Sequence, residues 1–74
     1  MAAKPKYEAT LPDGHVVTRQ TDRTYTHIVA CRGDDGRGWG VWSWAGRFDL
    51  AFKASNQARK VYPEIEIIEV RDLS

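Results

Sequence analysis

The chain has 74 residues and a formal net charge of +1, with 42% hydrophobic and 28% charged residues. This composition excludes wholesale disorder. A chain of this length forms at most one domain and buries only about 60% of its unfolded surface, which leaves little stability to offset a strained, desolvated active site. We therefore predict a globular domain that binds and does not catalyse.

The distribution of charge and the cysteine content further limit the class of protein to which the chain can belong. Residues 1–63 hold ten Lys or Arg against six Asp or Glu, whereas residues 64–74 hold one against four. The lone Cys31 excludes an intramolecular disulfide and a zinc cage built from several cysteines. No stretch approaches the ~20 apolar residues of a membrane span, and the first residues lack the apolar segment of a signal peptide. We predict a cytoplasmic protein with no cofactor, no metal and no membrane contact.

The N-terminal part predicts a leader and a hairpin. Residues 1–6 are interpreted as a flexible leader and residues 7–74 as a single α+β domain. Residues 7–11 and 15–20 flank Pro12-Asp13-Gly14, which combines a fixed φ, a side chain that bonds the backbone and a residue that tolerates positive φ. These are the ingredients of a turn between two strands.

Residues 24–32 form the strongest strand pattern in the chain, rich in Thr, Tyr, Ile and Val and free of Gly and Pro. Tyr25, His27 and Val29 share one face with Cys31, and Ile28 and Ala30 lie on the other. The polar, glycine-rich residues 33–38 follow as a flexible connection. Residues 39–44 predict the returning strand, with Trp42 and Trp44 on one side and Trp39 on the other.

The last third predicts a helix and a strand. Over residues 47–61, Leu50, Ala51, Ala54, Ala58 and Val61 recur at spacings of three and four. Phe48 and Phe52 widen the edge of this stripe. Residues 64–71 then alternate until Ile67-Ile68, where either a bulge occurs or the strand is buried on both faces. We predict an antiparallel sheet of four or five strands with one helix on one face, in the order β-β-β-β-α-β.

A sheet with one helix leaves its other face for solvent or a partner. We place Ile28, Ala30, Trp42 and Trp44 beneath the helix. The predicted binding residues then lie on or beside the uncovered face: Trp39, Tyr25, His27 and Arg37. If the phase is reversed, Trp42 and Trp44 become the anchors.

Catalytic and nucleic-acid patterns are weaker. His27 and Cys31 are four residues apart in a strand, roughly 13 Å at the strand rise, too far for the imidazole to activate the thiol. Aromatic side chains beside Arg residues suit stacked single-stranded bases, although the basic-Gly-aromatic run of an RNA-recognition sheet is missing. Nucleic-acid binding is therefore the alternative function, and homodimerisation through the open face or an edge strand is a third.

Two segments, Tyr25-Thr26-His27-Ile28-Val29 and Trp39 to Ala54 with its W-x-x-x-x-x-L-A-x-K-A core, resemble small uncharacterised accessory proteins of actinobacterial viruses (phages). The resemblance covers about half of the chain and supplies no catalytic residues. It implies a phage protein in the host cytoplasm that binds a host protein. The leading expectation is therefore a small non-enzymatic protein-binding module.

Overall fold

The computed structural model describes residues 4–33 and 38–73. Within them the chain forms six strands and one helix. In chain order these are β1 (Lys6–Thr10), β2 (Val16–Gln20), β3 (His27–Arg32), β4 (Trp39–Ala45), α1 (Phe48–Ala58), β5 (Glu64–Glu69) and β6 (Arg71–Asp72). The α+β class, the single helix and the antiparallel pairing agree with the sequence prediction. β1 begins at Lys6, the last residue of the predicted leader.

The strands divide into two three-stranded sheets. The hairpin sheet has the order β2-β1-β6, and the helix sheet has the order β4-β3-β5. The prediction of one four- or five-stranded sheet is wrong in this respect, because the last strand changes sheets. Glu69 pairs with His27 in the helix sheet, and two residues later Arg71 pairs with Glu8 in the hairpin sheet. Between them, the Val70 amide donates to the carbonyl of Thr26 at 2.8 Å.

The core has two parts, one on each face of the helix sheet. Ile28 and Ala30 pack with Ala9 and Leu11 of the hairpin-sheet side in an inter-sheet cluster. The neighbouring Val29 points the other way and packs with residues of α1 in a helix cluster. Because successive side chains of a strand point to opposite faces, β3 is covered on both sides. The predicted alternation is confirmed within β3, residues 27–32, but it does not extend to Tyr25, which precedes the strand. Neither face of this sheet is left open.

A β-bulge corrects the predicted placement of the tryptophans. The pairing of β3 with β4 shifts register after Val29, which lies opposite Ser43, whereas Ala30 lies opposite Val41. The skipped residue, Trp42, interrupts the alternation of β4. As a result, Trp39 and Trp44 both pack against the inter-sheet cluster. The placement of Trp44, Ile28 and Ala30 beneath the helix is therefore wrong.

The helix lies close to its sheet because its inward residues are small. Its fully buried positions are Ala51, Ser55 and Ala58. The Ser55 hydroxyl donates to the carbonyl of Phe52 at 2.6 Å, which satisfies a hydroxyl that would be costly to bury alone. The predicted stripe was wider than the buried one, since Leu50 and Val61 are exposed.

Two explanations were predicted for the change of phase at Ile67-Ile68, a bulge or burial of the strand on both faces. The structure shows the second. β5 pairs with β3 without a register shift. Ile67 packs in the helix cluster and the adjacent Ile68 against the inter-sheet cluster. The strand is thus packed on both faces at this point. In the described part of the chain, the single helix is too short and too polar to cross a membrane.

Candidate protein-binding surface

The four predicted binding residues do not share one face. Trp39 packs against the inter-sheet cluster, whereas the ring of His27 meets that of Phe48 on the helix side. Tyr25 precedes β3 and contacts residues of the inter-sheet side. Arg37 lies outside the described residues. The expected uncovered face does not exist in the helix sheet, and the binding role of these residues stays a prediction.

Tyr25 belongs to an aromatic cluster that is closed by an arginine. Its ring centroid lies 5.8 Å from that of Tyr7, at an edge-on angle, and 5.6 Å from that of Trp44. The guanidinium carbon of Arg19 lies 5.3 Å from the Tyr25 ring centroid and 5.9 Å from that of Trp44. These distances suit cation–π attraction. One face of each of these two rings is therefore already in contact with the Arg19 side chain.

Trp39 has a similar arrangement at the opposite end of β3. The guanidinium carbon of Arg32 lies 5.5 Å from the Trp39 ring centroid. The same guanidinium forms an ion pair with Glu64, the residue opposite it in β5. Arg32 thus covers one face of Trp39 and is itself paired with an acid, and the binding role of Trp39 stays a prediction.

His27 lies at the junction between the helix sheet and the start of α1. Its ring centroid is 5.5 Å from that of Phe48, edge to face. The Thr26 hydroxyl and the imidazole Nδ1 are 2.8 Å apart and share a hydrogen bond. Phe48 in turn contacts Phe52, one helical turn later, at a centroid separation of 6.4 Å. Among the predicted residues that the structure describes, His27 is therefore the one that touches an exposed aromatic pair.

Exposed hydrophobic side chains concentrate around the helix. Seven large hydrophobic residues are exposed in the described part of the chain, and five of them lie on or next to α1. We call these five the helix surface: Trp42, Phe48, Leu50, Phe52 and Val61. Phe48 and Phe52 are 57% and 51% exposed, and Val61 is 64% exposed. Such exposure of Phe48 and Phe52, whose rings contact each other, is unusual for a pair that meets only water.

Trp42 belongs to this surface because of the β-bulge. Its ring contacts that of Tyr62, just after the helix, with centroids 5.8 Å apart and an edge-on angle. It is 38% exposed, while Trp39 and Trp44 are half-buried. The reversed-phase alternative of the sequence analysis thus identified one exposed tryptophan, Trp42, but for a different geometric reason.

Phe48 and Phe52 are surface residues that the sequence pattern did not predict. At helical spacing they flank the alanine stripe, so they were interpreted as the edge of a buried face. The signal that distinguishes them is the width of the stripe: Ala51, Ser55 and Ala58 already fill the contact with the sheet. Larger side chains at the margin then have no room beneath the helix and remain in solvent.

Charges surround the helix surface unevenly. In and beside α1, the cations Arg47, Lys53, Arg59 and Lys60 outnumber the single acid, Asp49. Asp49 is paired with Arg47 at 3.3 Å, and both side chains are highly exposed, so this ion pair adds little stability. The adjacent strand β5 is acidic, with three glutamates in six residues. The helix and its edge strand therefore carry opposite charge.

Reactive chemistry has little support in the described residues. Burial raises the pKa of the Cys31 thiol above its usual range, so the thiol stays protonated and is a poor nucleophile at neutral pH. Within residues 4–33 and 38–73, no three His, Cys, Asp or Glu side chains come together as metal ligands. No protein-family model, curated protein or solved structure matches the chain.

Proposed function

We propose that this protein is a small non-enzymatic protein-binding module and that the helix surface is where it binds. One observation supports the proposal above the others: most of the exposed large hydrophobic side chains of the described chain lie around a single helix. Exposed apolar area in contact with water is costly unless a partner covers it.

The residue types of this surface fit a protein partner. Aromatic side chains are enriched at the centres of protein interfaces, where a few of them supply most of the binding free energy. Phe48 and Phe52 contact each other, and His27 and Tyr62 support the neighbouring rings from the side. Such mutual contacts hold the rings in place before binding, which lowers the entropy lost when a partner is bound.

Nucleic-acid binding is the less favoured alternative. The strand aromatics that would stack with bases, Tyr25, Trp39 and Trp44, already lie under Arg19 or Arg32. The acidic β5 beside the helix repels phosphates. The basic outer face of α1 is the one feature that favours this alternative, and binding there would weaken steeply with salt.

The resemblance to phage accessory proteins leads us to propose a host protein as the partner and the host cytoplasm as the site of action. The proposal does not depend on a particular host pathway. It requires only that the partner present a surface that is complementary to exposed aromatic side chains.

Affinity capture from nuclease-treated actinobacterial lysate tests the proposal. We expect a stoichiometric protein band that is retained by the wild type and by Val16→Ser, which alters an exposed apolar residue of the hairpin sheet. The double variant Phe48→Ser/Phe52→Ser should lose the band by at least about tenfold, since each hot-spot residue contributes more than about 1 kcal/mol. Equal retention by all three proteins, or protein bands that appear only when the nuclease is omitted, would overturn the proposal.

A further inference from the structure

The outer edge of β5 presents backbone groups that are available to pair with another strand. β5 lies at the border of the helix sheet, and all six of its residues pair with β3 in unbroken register. In the described part of the chain, no backbone hydrogen bond reaches residues 64–69 from outside β3. Every second residue of β5 therefore presents an N–H and a C=O outward, as edge strands do. The opposite border, β4, is interrupted by the bulge at Trp42 and is a poorer template.

The crossover places Phe48 and Phe52 on the β5 side of the helix. β4 and β5 are each antiparallel to β3 and so run parallel to one another, with α1 connecting them. Such connections are right-handed in nearly all proteins. With Ala51 facing the sheet and 3.6 residues per turn, a right-handed crossover turns Phe48 and Phe52 toward β5 and Leu50 toward β4.

An apolar strip therefore runs between the helix and the β5 edge. On the helix side of β5, Ile65 and Ile67 are half-buried in the helix cluster. The right-handed crossover turns Phe48 and Phe52 toward this side, and both remain about half exposed. Alternate side chains of an added strand would point to this side and would cover both the isoleucines and the phenylalanines. Strand addition with pockets for alternate side chains is a recurring mode of peptide recognition.

The negative charge of the β5 edge favours an added strand that carries positive charge. Glu66 and Glu69 are exposed and form no ion pair among the described residues, whereas Glu64 is paired with Arg32. A second copy of β5 would bring further glutamates alongside these, and like charges across strands are destabilising. A nucleic acid would be repelled in the same way. Lys or Arg side chains on an added strand would instead be attracted.

Resting on the proposed function, we propose that the partner contributes an extended segment of alternating apolar and basic residues, which pairs with the β5 edge. Its apolar side chains cover Phe48, Phe52 and the adjacent isoleucines on the helix side, and its basic side chains face Glu66 on the opposite face of the sheet. Glu66 then serves two purposes: it opposes self-association of an exposed edge and discriminates among partners.

A synthetic ten-residue peptide of alternating Val and Lys, with blocked termini, is the probe. We expect saturable binding by the ¹⁵N-labelled full chain, with amide shifts and slowed hydrogen exchange concentrated in residues 64–69. Two matched peptides are the controls. A Val-Glu peptide tests charge, and a Val-Lys peptide with N-methyl groups on alternate residues keeps the charge but removes the hydrogen-bond donors. Both should bind at least about tenfold more weakly.

Charge reversal in the protein gives the decisive comparison. Glu66→Lys should weaken binding of the Val-Lys peptide by about tenfold or more, whereas Asp22→Lys, the same charge change in an exposed connection, should leave it within about twofold. Equal binding of the N-methylated peptide, or equal effects of the two variants, would overturn strand addition. The proposed function fails separately, if capture of the cellular partner does not depend on Phe48 and Phe52.

Discussion

Truncation of Ile28 tests whether the space between the two sheets is the principal core. Ile28 is fully buried and packs in the inter-sheet cluster. Ile28→Ala removes three carbons, worth about 2.4 kcal/mol at about 0.8 kcal/mol per methylene, and the cavity left behind raises the usual cost to about 2–5 kcal/mol. A 74-residue chain has a total free energy of unfolding of roughly 4–11 kcal/mol. The variant should therefore lose a large share of its stability.

Urea denaturation followed by tryptophan fluorescence measures this loss, since Trp44 packs against the same cluster. With a slope of about 1 kcal/mol per molar urea, the midpoint should fall by about 2 M or more, or the variant should be unfolded without denaturant. The matched variant Val16→Ala truncates a residue that is 49% exposed and should cost under about 0.5 kcal/mol. A cost below about 1 kcal/mol for Ile28→Ala would refute the two-part core.

Three smaller predictions concern single positions. Gly14 has a φ of 90°, whereas a Cβ at Gly40 would meet nothing within 4 Å; Gly14→Ala should cost about 1 kcal/mol or more and Gly40→Ala should be neutral or stabilising in the same urea titrations. Burial raises the pKa of the folded Cys31 thiol, so the unfolded chain loses this proton first as pH rises. The free energy of unfolding should fall above about pH 8.5, and the difference between wild type and Cys31→Ala should shrink with it. The Arg32–Glu64 ion pair is 44% and 45% exposed in its two side chains, so a double-mutant cycle should give a coupling of less than about 1 kcal/mol.

Local sequence patterns were sufficient to predict the elements of this fold. The turn at Pro12-Asp13-Gly14, the β-branched run of β3 and the alanine spacing of α1 each encode their structure within a few residues, and the structure confirms them. The division into two sheets was not predictable in this way. It depends on which strands pair, and the pairing of β5 with β3 and of β6 with β1 joins residues far apart in the chain.

The candidate site shows the same limit. Strict alternation along residues 39–44 assigned Trp44 to the wrong face, because one skipped residue in β4 reverses the phase beyond it. No residue in that segment predicts the bulge, since the one glycine within β4, Gly40, lies before it and remains paired with Cys31. Phe48 and Phe52 carried a helical signal, but their exposure depends on how closely the small residues bring α1 to the sheet.

The change of sheet at Val70 has a consequence for the order in which the protein assembles. Residues 64–72 provide an outer strand to both sheets, so each sheet has only two strands until this segment is present. A two-stranded hairpin is marginally stable by itself in water. During synthesis on the ribosome, the earlier hairpins and the helix would therefore fluctuate without lasting tertiary structure, and folding should proceed in a single late step once residues 64–72 have emerged.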